Sequence, residues 1–296
     1  MRAAVGYPLA PEFTGIARRS PLMSHEFDVI VLGGGAAGLM CAIEAGKRGR
    51  RVVVLERAAR IGKKILISGG GRCNFTNIHC RPENFISANP HFAKSALAAY
   101  TPTDFIALVE KHRIAYHEKT LGQLFCDGSA QQIVNVLEAE CHGVGVRILT
   151  NVAVERVERD NGFAVRSRQE EFQGKSLVVA TGGLSIPKMG ATSFGYDLAR
   201  QFGLKIVEPR PALVPLVFNA EDRQKYGDLT GVSAEVVASI GKQRFREKML
   251  FTHRGLSGPA ILQISSHWKD SGSVTIDLAP EQDVTAPVRD GSRRDL

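Results

Sequence analysis

The stretch FDVIVLGGGAAGLMCAIEAGKRGRRVVVLE, residues 27–56, decides the fold of this chain. Its first part, Phe27–Leu32, is a nearly continuous apolar run, which is typical of a strand buried on both faces of a parallel sheet. A glycine cluster follows, and then a segment rich in Ala, Leu and Met favours a helix that ends near Gly49. A second apolar run, Arg51–Glu56, completes a strand–helix–strand unit of the expected length.

Gly33, Gly35 and Gly38 have the G-x-G-x-x-G spacing of a dinucleotide-binding turn. The first glycine allows the tight turn, the second lets the backbone approach a diphosphate, and the third lets the helix pack closely on the strand. The helix N-terminus, which includes Ala36 and Ala37, offers free N–H groups to the anion. The pattern predicts a Rossmann-type α/β domain that binds a dinucleotide; the alternative is a glycine-rich turn in another kind of α/β protein.

Glu56 closes the second strand, at the position where a carboxylate accepts hydrogen bonds from the adenosine ribose. Because a carboxylate repels a 2′-phosphate, NADP is disfavoured in this pocket, whereas FAD and NAD both remain open. Arg57 follows directly and is a further candidate cofactor-binding residue.

Four motifs outside this unit carry a family resemblance. They are RIGKKILISGGGRCNFTN (60–77), ATGG (180–183), PALVPL (211–216) and FTHRGLSGPAILQIS (251–265). Together they resemble the two-domain flavoproteins of the YhiN-like and BaiN-like (HI0933-like) family of NAD(P)/FAD-dependent oxidoreductases. The resemblance implies bound FAD, a Rossmann-type FAD-binding domain and an inserted β-rich, barrel-like substrate domain.

The candidate cofactor-binding residues have distinct expected roles. A run of glycines lets backbone N–H groups lie against a flat ring or a phosphate, and nearby cations balance the diphosphate or a reduced, anionic flavin. A segment at the carboxyl end of a parallel strand lies where open α/β sheets bind ligands. Val154 could contact the adenine through its backbone. The complete set is Gly33, Gly35, Ala36, Ala37, Gly38, Glu56, Arg57, Lys63, Lys64, Ser68, Gly69, Gly70, Arg72, Cys73, Asn74, Val154, Thr181, Gly182 and Gly183.

Two side chains are candidates for a catalytic role, although neither is assigned one. Flavin–disulfide enzymes place a cysteine pair beside the isoalloxazine ring, but no C-x-x-C or C-x₄-C motif includes Cys73, which favours a structural thiol. His253 could donate a proton to a substrate, or be hydrogen-bonded near the Ser257–Pro259 cap. Flavin can transfer hydride without an acid–base residue, because the cofactor performs the difficult chemistry. No metal site is predicted.

The formal charge of +8 does not form a long basic run. Much of the excess comes from the two ends of the chain, at Arg2, Arg18, Arg19, Arg289, Arg293 and Arg294. This distribution predicts a small-molecule substrate and no specific nucleic-acid partner. The five cysteines have no disulfide-framework spacing, so reduced thiols in the cytoplasm are expected. No apolar run is long enough to span a membrane, and the oligomeric state is left open.

Further elements are predicted along the chain. Helices are expected near Thr103–His112, after a Ser129 cap, and from Ser257-Gly258-Pro259 to about Trp268. Residues 146–158 look like strand material, and Asn161-Gly162 predicts a hairpin. After about residue 209, short alternating stretches indicate antiparallel strands.

These patterns predict a leader (1–22), an FAD-binding domain (23–205), part of an inserted β-rich domain (206–280) and a tail (281–296). We expect the leader and tail to be disordered, with Met23 as the true start. Family members end in a glycine-rich segment that returns to the FAD-binding domain. Because Pro280–Leu296 does not resemble that segment, we expect that the chain is truncated or frameshifted, or that a partner chain supplies the rest.

The leading functional hypothesis is an FAD-dependent oxidoreductase. NADH or NADPH would reduce flavin N5, and the reduced flavin would pass hydride to an unsaturated or carbonyl-containing small molecule. The alternatives are a non-catalytic FAD-binding remnant and a flavoprotein that acts on RNA.

Overall fold

The computed structural model describes residues 23–268, 272–281 and 286. Contacts divide the chain into two compact units, with the division between Ile206 and Val207. The predicted leader and nearly all of the predicted tail lie outside the described residues. The domain bounds drawn from the sequence therefore stay predictions.

The first unit contains nine strands and six α-helices among the described residues. The strands are β1 (Met23–Leu32), β2 (Val52–Leu55), β3 (Asn74–Asn77), β4 (Tyr116–Glu118), β5 (Gln123–Cys126), β6 (Arg147–Leu149), β7 (Val154–Arg159), β8 (Phe163–Ser167) and β9 (Glu170–Val179). The helices are α1 (Ala36–Lys47), α2 (Lys63–Ile67), α3 (Lys94–Ala99), α4 (Pro102–Lys111), α5 (Gln131–Gly143) and α6 (Phe194–Gln201).

The main sheet of this unit has the strand order β6-β2-β1-β9-β8-β7. Strands β6, β2, β1 and β9 run parallel, whereas β8 and β7 continue the sheet antiparallel. β1 is central because β2 pairs with one of its edges and β9 with the other. Its apolar residues Ile30, Val31 and Leu32 are consequently buried. The predicted Rossmann-type α/β fold is confirmed.

Helix α1 covers one face of this sheet through an apolar stripe. Leu39, Ala42 and Ile43 recur at helical spacing and are almost fully buried. They share a core cluster with α5, whose residues Val134 and Leu137 are also buried. Full burial of each large aliphatic side chain contributes about 1.5–3 kcal/mol to folding. This packing fixes the N-terminus of α1 at the end of β1.

A second, three-stranded sheet in the first unit has the order β3-β5-β4 and is antiparallel throughout. It follows a short 3₁₀ turn at Ser68–Gly71, which lies within the family motif of residues 60–77. Phe125 of β5 and Cys73, just before β3, are both buried. The sheet therefore anchors the end of the glycine-rich turn.

Several predicted elements differ in their bounds from the observed ones. Residues 146–158 do not form one strand, because Asn151 adopts a left-handed conformation (φ 58°) between β6 and β7. The helix after Ser129 begins one residue later than predicted, with Ala130 at its N-cap and no side-chain cap. The predicted Asn161-Gly162 hairpin joins β7 to β8. The helix predicted near Thr103–His112 is α4, which begins at Pro102 after the N-cap Thr101.

The second unit contains a five-stranded antiparallel sheet with the order β10-β13-β12-β11-β14. Its strands are β10 (Leu216–Val217), β11 (Ser233–Ile240), β12 (Gln243–Thr252), β13 (Gly255–Ser257) and β14 (Thr275–Asp277). Its helices are α7 (Ala220–Tyr226) and α8 (Pro259–Ser265). The predicted β-rich second unit is confirmed. The helix predicted to reach Trp268 is shorter, because α8 ends at Ser265 and is capped by Gly258 rather than Ser257.

Candidate dinucleotide site

The glycine turn between β1 and α1 has a separate physical reason for each glycine. Gly33 has φ 107°, and a Cβ there would collide with the Ala180 carbonyl. A Cβ on Gly38 would collide with the carbonyl oxygen of Gly33, so only glycine lets α1 begin this close to β1. Around Gly35, by contrast, no atom lies within 4 Å of a would-be Cβ. The open space at Gly35 is where a diphosphate could meet the backbone.

The N-terminus of α1 can accept an anion. Its N-cap, Gly35, provides no side-chain hydrogen bond, and the first turn contains no acidic residue. The first N–H groups of this 12-residue helix therefore point toward the turn. No capping side chain balances their partial positive charge.

The carboxylate of Glu56 is held in place by two backbone donors. Its Oε2 accepts the N–H of Gly34 at 2.8 Å, and its Oε1 accepts the N–H of Ala58 at 2.7 Å. Each carboxylate oxygen can accept a further hydrogen bond. Glu56 thus fixes the shape of the glycine turn and still has the capacity to accept ribose hydroxyls.

A cavity of about 450 Å³ lies in front of the glycine turn. It is lined by the start of α1, by Glu56 and Arg57, by the first turn of α2 and by the segment after β9. The predicted residues that it brings together are Gly33, Gly35, Ala36, Ala37, Glu56, Arg57, Lys63, Lys64, Thr181 and Gly182. Gly38 is not among the lining residues, because it is buried in the packing between α1 and β1.

A second cavity of about 270 Å³ also contains Glu56 and Arg57 in its wall. Val154, the predicted adenine contact, lines it together with Val152 and Ala153. Both cavities are bordered by Gly33 and Thr181. Glu56 therefore lies in the wall that the two cavities share.

Two lysines of α2 contact the segment that follows β9. The ammonium of Lys63 donates to the carbonyl of Met189 at 3.3 Å. That of Lys64 donates to the Gly183 carbonyl at 3.3 Å and to the Ser185 hydroxyl at 2.7 Å. Both lysines line the larger cavity, so their positive charges lie at its wall.

The Ser68–Asn74 segment does not line either cavity, although it follows α2 directly. Gly69, Gly70 and Gly71 all have positive φ, and Gly69 has no room for a side chain because Phe125 and the Asn74 backbone adjoin it. Arg72 is exposed. The amide of Asn74 donates to Gln123 at 3.3 Å. The roles predicted for these residues at the flavin stay predictions.

The two candidate catalytic residues lie in different surroundings. Cys73 is 5% exposed, and burial raises the pKa of its thiol, against a smaller lowering by a hydrogen bond from Ser68. His253 is exposed in the turn between β12 and β13 of the second unit. Within the described ranges, no group of three or more His, Cys, Asp or Glu side chains could hold a metal ion.

Sequence reasoning missed the Met189–Ala191 segment, which lines the larger cavity. Gly190, with φ 91°, borders both cavities. The only sequence signal was a single glycine downstream of a predicted strand, which is too common a feature to indicate a site.

Comparison with known proteins identifies the family. Residues 27–277 match the family described as "HI0933-like protein Rossmann domain". The chain belongs to this HI0933-like family. The predicted family, and with it a Rossmann-type fold of FAD-dependent oxidoreductases, is confirmed.

Three relatives of this HI0933-like protein are named for an activity. "Ribosomal RNA dihydrouridine synthase" of Haemophilus influenzae is 47% identical over 90% of this chain and 68% of its own length. The Escherichia coli protein of the same name is 49% identical over 88% of this chain and 66% of its own length. "3-dehydro-bile acid delta(4,6)-reductase" of Clostridium scindens is 32% identical over 80% of this chain and 59% of its own length. The chain thus spans about two thirds of the first two relatives.

One prediction about partners is wrong. Two relatives at 47% and 49% identity are named for an RNA, which contradicts the expectation of a small-molecule substrate and no specific nucleic acid. The error came from treating scattered basic residues as a sign against RNA.

In the part of the chain that the structure describes, no α-helix has the length and apolar character of a membrane span.

Proposed function

We propose that this chain is the FAD-binding part of an enzyme that reduces a uridine in ribosomal RNA to dihydrouridine. The proposed RNA substrate is supported by the 47% and 49% identity to two proteins named for this activity. The chain covers about two thirds of those proteins, so the proposal concerns the reaction of the whole enzyme.

The two cavities fit an extended FAD. Gly33, Gly35 and the N-terminus of α1 would bind the diphosphate, with Lys63 and Lys64 balancing its charge. Glu56 would accept the ribose hydroxyls, and the backbone at Val154 would contact the adenine. The open space at Gly35 supports this fit, since a diphosphate needs close backbone approach there.

When bound, FAD supplies hydride transfer, which reduction of a carbon–carbon double bond requires. The names of the rRNA synthases and of the bile acid delta(4,6)-reductase both describe the saturation of such a bond. We propose NADH or NADPH as the source of the hydride. The protein itself would hold the cofactor through Glu56 and the glycine turn. It would also place the uracil ring within reach of the flavin.

The net charge of +8 is compatible with an RNA substrate. Even dispersed cations raise the local concentration of a polyanion and speed its association. Binding should therefore weaken as salt rises, because the release of counterions from the phosphates into solution becomes less favourable at high salt.

The first test asks whether the chain is a working flavoprotein. The purified chain is reconstituted with FAD, and its visible spectrum is recorded anaerobically before and after NADH or NADPH is added. We expect a protein-bound flavin spectrum that bleaches on reduction. Failure to bind FAD would instead support the alternative of a non-catalytic remnant.

The second test asks for the RNA product. The reduced protein is incubated with unmodified ribosomal RNA transcripts, and the digested nucleosides are analysed by mass spectrometry for dihydrouridine. Poly(C), which contains no uridine, is the matched control polymer. If the flavin is reduced by nicotinamide but a protein of full family length forms no dihydrouridine, the proposed substrate is wrong while the flavoprotein assignment stands.

A further inference from the structure

Three aromatic side chains of the second unit, Phe218, Tyr226 and Phe251, form an aromatic cluster. The ring centroids of Phe218 and Tyr226 lie 5.7 Å apart, and those of Phe251 lie 6.5 Å and 6.4 Å from them. Phe251, on β12, packs against the buried core of this unit, whereas Phe218 and Tyr226 are not part of that core cluster. Both outer rings are half-buried, so the cluster reaches the surface.

The ring of Tyr226 is accessible at this surface. Its hydroxyl forms no hydrogen bond with a described residue, whereas every buried polar side-chain atom of the described residues has a partner, so solvent must reach the hydroxyl. The Nζ of the exposed Lys225 lies 5.2 Å from the centre of the ring. Because an exposed cation–π contact is weak and a lysine side chain is flexible, a flat ligand can displace the ammonium from the ring face.

Two cations beside the aromatic cluster are free to bind an anion. The N–H of Phe218 donates to the carbonyl of Arg254 at 3.0 Å, which holds the turn between β12 and β13 next to the cluster. Within the described ranges, neither Lys225 nor Arg254 forms an ion pair, whereas the exposed Arg246 pairs with Glu235 at 2.7 Å. Both charges are therefore available to a ligand.

Acidic residues limit where an anion can lie. Glu221 and Asp222 are in the first turn of α7, and Asp228 follows the helix. Lys225 is in the last turn of α7, directly before Tyr226. A polyanion would be repelled by the three carboxylates, so its contacts must be confined to Lys225 and Arg254.

We propose that the aromatic cluster, together with Lys225 and Arg254, binds an unpaired nucleotide of RNA. A base would stack on the Tyr226 ring, and the adjacent phosphates would contact the two cations. Proteins bind single-stranded RNA by such stacking on aromatic side chains beside positive charges. Unpaired RNA is favoured because the bases of a duplex are already stacked. This site rests on the proposed RNA substrate and gives the second unit a part in binding it.

The test measures the binding of labelled RNA to the full chain by fluorescence anisotropy. The probes are a short oligouridine and a blunt-ended RNA duplex of equal length, and we expect tighter binding of the oligouridine. Tyr226→Leu removes the aromatic ring and should weaken this binding about five- to tenfold, with an unchanged dependence on salt. Tyr226→Phe keeps the ring and should bind like the parent chain.

The two cations are tested by a double variant, Lys225→Gln with Arg254→Gln. We expect roughly tenfold weaker binding of the oligouridine and a decrease of about 1.4 in the slope of log Kd against log salt, since each phosphate contact of a single strand contributes about 0.7. Lys242→Gln is the matched control, because Lys242 is an exposed lysine in the turn at the opposite end of β12. It should bind like the parent chain.

Equal affinities of Tyr226→Leu and Tyr226→Phe would overturn the proposed site, as would equal affinities of the double variant and Lys242→Gln. Tighter binding of the duplex by the parent chain would also overturn it. The double variant changes only exposed side chains, so it tests the site even if Tyr226→Leu does not fold. Dihydrouridine formation is measured in a separate assay, so this site can fail while the proposed reaction stands.

Discussion

At the scale of single residues, Glu56 has a structural role in addition to its predicted role in ligand binding. The sequence predicted a ribose contact, and the structure adds hydrogen bonds that hold the Gly34 and Ala58 backbone. This second role could not be predicted from spacing, because it depends on how the turn folds back over the end of β2. The carboxylate therefore contributes to stability even before a ligand binds.

Glu56→Gln is expected to weaken both FAD binding and folding. The amide group can accept only one of the two backbone N–H groups, and hydrogen bonds to charged groups are worth about 1.5–3 kcal/mol. We expect roughly tenfold weaker FAD binding, measured by fluorescence titration. Glu44→Gln is the matched control, since Glu44 pairs with Lys47 and Arg48 on an exposed face of α1. Equal losses in both variants would contradict the ribose assignment.

Two glycine variants should separate folding from binding. Gly38→Ala forces a Cβ against the Gly33 carbonyl, so we expect a loss of about 1–3 kcal/mol in unfolding free energy. Gly35→Ala meets no protein atom within 4 Å and has an ordinary φ of −86°. It should leave the melting temperature almost unchanged while reducing FAD occupancy. A Gly35→Ala protein that binds FAD normally would show that the diphosphate lies elsewhere.

At the scale of elements, α5 stabilises α1 through a buried thiol. Burial raises the pKa of Cys141 to about 12, and its sulfur contacts the carbonyl of Leu39 on α1. The sequence predicted this helix after a cap at Ser129. It did not reveal the contact with α1, because periodicity identifies a face but not its partner.

The raised pKa of Cys141 predicts alkaline sensitivity. The folded state keeps the proton, whereas the unfolded thiol loses it near pH 9, so this stabilisation is complete below pH 9 and declines as pH rises toward 12. Cys141→Ala should reduce the fall in unfolding free energy by up to about 1.4 kcal/mol per pH unit. Urea unfolding between neutral and alkaline pH measures this. The control variant Cys80→Ala should keep the contribution of Cys141 to this pH dependence. If the unfolding free energy falls with pH at the same slope in Cys141→Ala and in the parent chain, the prediction is wrong.

At the scale of the whole molecule, regular patterns were predictable and turns were not. The apolar runs of β1 and β2 and the glycine spacing were sufficient for the Rossmann-type fold, since strand burial and helix packing leave clear periodic signals. The break at Asn151 and the lining segment around Gly190 depend on single left-handed residues. Many asparagine and glycine residues occur elsewhere in the chain without breaking a strand or lining a cavity. The RNA connection came from relatives, because dispersed charge does not specify a partner.

The division between Ile206 and Val207 predicts a protease-sensitive connection. Residues 204–212 have no regular secondary structure, and Leu204 and Val207 are exposed. Trypsin should cleave first after Lys205, because exposed irregular segments are the preferred sites of proteolysis. The fragment ending at Lys205 should retain FAD, as all candidate cofactor-binding residues precede it. Mass spectrometry identifies the cleavage site, and the visible absorbance of the gel-filtered fragment reports the bound flavin. Lys205→Gln is the control that should not be cleaved at this position. Loss of the flavin on cleavage would contradict the prediction.

The pairing of β1 with β9 also has a consequence for synthesis on the ribosome. The two strands are matched over nine residue pairs but lie about 150 residues apart in the chain. At a translation rate of about 5–20 residues per second, β9 is made roughly 7–30 s after β1. During that interval the apolar edge of β1 has no β9 to pair with, and the Thr181-Gly182 wall of the cavity does not yet exist. The cofactor would therefore bind only after β9 has been synthesised. Early binding of a chaperone to the nascent N-terminal half would shorten the period in which β1 can aggregate.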